Sequence, residues 1–152
     1  MKRTILLLSM LFLVAGIATA QITGSGTLSN PYHGINSGNF TITGTKYFDG
    51  NLGVSSGTLT LTAGTRLICI SKYACILISG SGQLSVQGTV SRPVLISADL
   101  DTDGIFGEST DFWGNIYMTS TGVSTLDYCT IERGRRTRFS YLGGAVHIGS
   151  GS

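Results

Sequence analysis

The sequence predicts an all-β solenoid made of short strands and tight turns. Three observations point to it. No stretch from residue 21 onward places apolar residues at helical spacing. Apolar residues instead alternate over three or four positions and then stop at Gly, Ser, Thr or Asn. One pattern also returns along the chain: Gly50-Asn51-Leu52-x-Val54, Gly57-Thr58-Leu59-x-Leu61 and Gly82-Gln83-Leu84-x-Val86. Composition agrees. The 152 residues include 22 Gly but only 2 Pro, and 12% are charged. That excludes a charged disordered tail and a coiled coil, and without a Gly-X-Y period collagen is excluded too.

The first 20 residues read as a secretory leader. Lys2 and Arg3 form a basic start, Ile5 to Ile17 is almost wholly apolar, and Ala18-Thr19-Ala20 is a cleavage pattern before Gln21. The apolar run is too short for a membrane span, and no later run is long enough for one. No Cys lies near the cleavage point for a lipid anchor. The expected location is therefore secreted, extracellular or cell-surface. Lys2 and Arg3 leave with the leader, so ten basic residues become eight against eight acidic ones. A balanced mature chain gives no general attraction to nucleic acid or to anionic membrane.

Residues 21–38 carry Ile22, Leu28, Tyr32 and Ile35, enough apolar surface for an N-terminal cap. His33 sits there, in a turn. Short strands are expected at Phe40–Ile42, Leu52–Val54, Leu59–Leu61, Leu67–Ile70, Cys75–Ile78, Leu84–Val86, Val94–Ile96, Ile116–Met118, around Leu126, at Cys129–Ile131 and at Val146–Ile148. Leu59 and Leu84 are 25 residues apart, a suitable length for three strands and three turns. A three-residue strand cannot bury its apolar side alone. Stacked on its equivalent in the next coil, it gains a hydrogen-bond ladder and a shared apolar interior. A β-sandwich is the alternative, since it also has many short strands. The absence of long alternating strands argues against it.

The runs 57–64, 82–89 and 93–97, followed by Trp113-Gly114-Asn115-Ile116, Leu126-Asp127-Tyr128-Cys129-Thr130-Ile131 and Gly143-Gly144-Ala145-Val146-His147-Ile148, resemble the coils of secreted bacterial right-handed parallel β-helix proteins. The resemblance covers about residues 39 to 148. It implies a right-handed parallel β-helix over residues 39–152. It also implies a function among surface adhesins, polysaccharide lyases and other exoproteins. Gly-Gly before the last apolar strand reads as the start of a coil, and nothing after Ile148 is large enough to cap it. Downstream coils of the same polypeptide are therefore expected.

Two charged segments carry candidate chemistry. Asp99-Leu100-Asp101-Thr102-Asp103-Gly104 matches the first half of a calcium loop. Calcium takes six to eight oxygen ligands, and the Gly turn lets carboxylates and a carbonyl converge. Ile105 could supply that carbonyl. Position twelve is Thr110, so Glu108 or Asp111 would have to close the site. The candidate calcium ligands are thus Asp99, Asp101, Asp103, Ile105, Glu108 and Asp111. The second segment holds Arg133, Arg135, Arg136 and Arg138, followed by Tyr141. Guanidinium groups beside aromatics suit anionic sugars. Because the two segments follow strands ending at Ile96 and Ile131, they are expected to stack at one corner and attract by charge.

The three cysteines do not form a disulfide framework. Cys69 should face inward and Cys75 outward, which disfavours a bond between them, and Cys129 reads as a small core residue. Trp113 is expected to cover the interior, with sugar stacking as the other use of Phe112 and Trp113. His147 should face solvent. No catalytic residue is assigned. There is no phosphate loop, metalloprotease helix, zinc spacing or nucleophile elbow. The sequence thus favours a non-enzymatic secreted or cell-surface module, adhesin-like or scaffold-like, whose partner is an extracellular polysaccharide or cell-surface ligand. The alternative is a carbohydrate-active enzyme, a lyase or hydrolase of anionic glycans.

Overall fold

A computed structural model of the chain describes residues 21–135 and 145–149. The leader, Arg136, Arg138, Tyr141 and Gly143-Gly144 lie outside the described residues.

The described chain is all-β, with twelve strands: β1 (Tyr32–Asn36), β2 (Phe40–Ile42), β3 (Thr45–Val54), β4 (Thr58–Leu61), β5 (Arg66–Cys69), β6 (Ile76–Ile78), β7 (Gln83–Gln87), β8 (Val94–Ala98), β9 (Ile116–Met118), β10 (Thr125–Asp127), β11 (Cys129–Ile131) and β12 (Val146–Ile148). They form two sheets. The larger runs β11-β8-β5-β3-β6-β9-β12 with β1 on β3, and the smaller runs β10-β7-β4-β2. Every pair of named strands is parallel, unlike the antiparallel pairing of a sandwich.

The pairing has a period of three. Strands β4, β5 and β6 pair with β7, β8 and β9, which pair in turn with β10, β11 and β12. We call each such set of three strands a tier. The first tier is β2 plus both halves of β3: Thr45–Phe48 pairs with β5, and Leu52–Val54 pairs with β6. Leu59 lies opposite Leu84, as their 25-residue separation suggests. Alternation along three-residue strands sends alternate side chains inward, and equal register stacks them into columns. Ile42, Leu61 and Val86 form one column, Leu67 and Ile96 a second, and Leu52, Ile76 and Ile116 a third; all are buried. Each such side chain contributes about 1.5–3 kcal/mol on burial. The outward column of the smaller sheet is Thr41, Thr60, Ser85 and Thr125.

Two features were not foreseen. The segment expected as a cap contains a strand, β1, that lies on β3. His33 belongs to it rather than to a turn, with Nδ1 3.3 Å from Asp49 Oδ1. Strand β3 is ten residues long because two shorter pairing segments run together through Gly50. The start of the chain does close the N-terminal end. Ile22 joins the core, Thr23 and His33 form an antiparallel bridge, and the Tyr47 N–H donates to the Gly26 carbonyl at 3.0 Å.

Candidate functional site

Both charged segments leave the larger sheet at the same corner. Residues 99–115 connect β8 to β9, the chain after β11 leaves directly above, and the turn 70–75 between β5 and β6 lies below. The stacking of the acidic and basic segments follows from the register, since Ile96 pairs with Ile131.

The acidic loop is held mainly by its own backbone. Asp99 is buried, and its Oδ1 and Oδ2 accept the Asp103 and Gly104 N–H groups at 3.2 and 3.1 Å. The Asp103 carboxylate accepts the Ile105 N–H at 2.8 Å. Asp111 is equally buried, and its two oxygens accept the Leu100 and Glu108 N–H groups at 2.9 and 3.3 Å. Left-handed backbone at Thr102, Gly104 and Gly107 turns the loop back on itself.

Of the six residues expected to ligate calcium, the structure gathers three. Carboxylate oxygens of Asp99, Asp101 and Asp103 all lie within 4.8 Å of one another. Glu108 and Asp111 are not in that group, and the Ile105 side chain is exposed. Crowded negative charge shows in the acidities. Burial, chiefly, pushes the Asp99 carboxyl above its ordinary value, and Asp103 and Asp111 add to the rise. Glu108 is raised mainly by the charge of Asp103. The donors are hard oxygens, and a carboxylate oxygen that accepts one N–H keeps a free lone pair. The triad therefore has the right chemistry for a calcium ion.

The chain after β11 clasps this loop, but not by the charge pairing the sequence suggests. Among the described residues no ion pair joins Arg133 or Arg135 to the acidic loop; the one such pair is His33–Asp49. Arg133 Nε instead donates to the Gly107 carbonyl at 2.7 Å. Ser97 Oγ donates to Glu132 Oε2 at 3.0 Å, and that carboxylate lies so close to Gly107 that a Cβ there would meet it at 2.6 Å. Arg135 stacks on Phe112 from 4.7 Å and Lys72 approaches the same ring at 4.5 Å, linking three tiers at the corner. The loop carboxylates are spent on their own amides, which leaves carbonyls and an aromatic ring for the cations.

Trp113 is fully buried, edge-on to Phe48 at 5.9 Å, with Nε1 donating to the Glu132 carbonyl at 2.7 Å. It is a core residue, and its ring is closed to a sugar. The three cysteines are unpaired. Cys69 belongs to the core, and burial pushes its thiol up to about 12. Cys75 lies on the outer face. There it lines a groove of about 300 Å³ with Ile35, Asn51, Leu77, Tyr117 and Thr119. Sequence reasoning missed this groove. Its signal was Leu77 and Tyr117 at outward positions, where the smaller sheet carries Thr and Ser. His147 lies in that outward column, stacked on Tyr117 at 4.9 Å and only partly exposed. Asn115 is wholly buried, and its side-chain amide has no partner among the described residues.

No helix among the described residues is long and apolar enough to cross a membrane. No protein-family model matches the chain, and neither a curated protein nor a solved structure matches it.

Proposed function

We propose that the chain is a secreted or cell-surface module, adhesin-like or scaffold-like and without catalysis, whose tiers are coils of a right-handed parallel β-helix. The observation that carries this reading is where the charge sits. Five of the eight acids crowd into one corner loop, whose carboxylates largely hold the loop's own amides. Hydrolysis or elimination on a polysaccharide needs paired carboxylates, or a carboxylate with a base, on one accessible face. Among the described strands the acids are Asp49, which faces His33, and Asp127, which lies in the other sheet. The partner class is an extracellular polysaccharide or another cell-surface ligand, met at the corner where Arg133 and Arg135 emerge. Asp99, Asp101 and Asp103 would hold a calcium ion that neutralises the loop and stiffens this corner.

A glycan array probed with the exported chain, together with an assay for unsaturated or reducing-end products on uronate polymers, tests the proposal. Retention of an anionic glycan without turnover supports it. Turnover overturns it in favour of a carbohydrate-active enzyme.

A further inference from the structure

The two ends of the stack differ. The N-terminal end is closed by residues 22–33, whereas β10, β11 and β12 each have a strand partner on one side only among the described residues. Their inward side chains lose cover accordingly. In one column Leu61 and Val86 are 0% exposed and Leu126 is 38% exposed. In another, Val54 and Ile78 are 0% exposed, Met118 8% and Ile148 76%. The end therefore presents three strand edges with free ladder groups around an apolar centre. Such a surface pairs with other β-structure.

We propose that this end binds a second copy of the chain, tail to tail about a two-fold axis through Leu126. The in-out pattern of the three edges is self-complementary under that operation. β10 would pair antiparallel with its own copy, setting Leu126 against Leu126 inside and Thr125 against Asp127 outside, with no like charges opposed. The same axis sets β11 against β12 of the copy. Inward Cys129 and Ile131 then meet inward Ile148 and Val146, and outward Thr130 meets outward His147. A one-residue mismatch would have put polar residues inside. Head-to-tail growth would need an open N-terminal end, and that end is closed, so assembly stops at two.

Sedimentation of the exported chain over a concentration series tests this. The expected result is a mass that doubles with concentration and goes no further. Leu126→Lys with Ile148→Lys, checked for folding by circular dichroism, should stay monomeric. In a Cys129→Ser background, Leu126→Cys should form a covalent dimer under mild oxidation, whereas Val123→Cys, also exposed, should not. A monomer at every concentration overturns the proposal. So does a ladder of larger assemblies, or a dimer that Leu126→Cys fails to trap.

Discussion

Replacing Phe48 by Ala should cost about 3–5 kcal/mol, the range for truncating a large buried aromatic. Phe48 is fully buried on β3, in one column with Cys69 and Ala98, both buried. Those neighbours are too small to fill the space a missing ring would leave. The ring also loses its edge-on contact with Trp113, worth about 0.5–1.5 kcal/mol within that total. Trp113 is the only tryptophan, so its emission reports the local packing directly. Emission should be blue-shifted in the native protein and move to the red through a denaturant transition. Tyr73, a ring of similar size at 66% exposure, is the control: Tyr73→Ala should stay within about 0.5 kcal/mol of wild type. A Phe48→Ala variant within about 1 kcal/mol of wild type, or native Trp113 emission like that of a wet indole, would refute the packing described here.

Four further outcomes are expected. Asp99 and Glu108 have raised folded acidities, so their stabilising effect is present below the ordinary carboxylate pKa and is lost as pH rises through the raised values; without calcium, melting temperature should fall across that window, and calcium should restore it while a chelator reverses the gain. Identical melts in calcium and chelator would remove the metal site. Asn115→Leu should hold or raise stability, by up to about 1–3 kcal/mol, because it removes a buried amide that has no partner, and denaturant titration would reveal a loss instead. Thiol labelling of the native protein near pH 8 should reach Cys129 first and Cys69 only on unfolding. Gly57→Ala should cost about 1–3 kcal/mol, since φ is +71° and a Cβ would meet the Gly38 carbonyl carbon at 2.6 Å; an unchanged thermal melt would contradict that turn.

Much of the strand pattern was legible because three-residue strands in a stack leave a simple trace: two apolar residues, a polar one between them, and a glycine before. Leu59–Leu61, Leu84–Val86 and Ile116–Met118 all show it. Strand β1 was not legible, because Tyr32–Asn36 pairs at the edge of the stack and alternates weakly in polarity. At the candidate site, residue type placed the loops at a common corner but could not say what each charge would hold. Asp99 and Asp111 look like metal ligands in sequence, yet each has both oxygens on backbone amides three-dimensionally close to it. Arg133 looked like a partner for those acids, yet its backbone sits at φ 58° and its Nε meets a carbonyl. Such choices depend on turn geometry, which spacing does not encode. The groove beside Cys75 escaped notice for a related reason: Leu77 and Tyr117 lie 40 positions apart and become neighbours only through the register of β6 and β9.

Parallel stacking in register is what the rest depends on, and solution NMR can read it. Between partners in parallel strands, close contacts run from the α-proton of one residue to an amide proton across the ladder, whereas antiparallel pairs bring α-protons together. Stacked parallel tiers predict such α-to-amide contacts between Leu59 and Leu84, Ile76 and Ile116, and Val94 and Cys129, or their immediate neighbours. Contacts between α-protons at these pairs, or none linking the three partnerships, would contradict them.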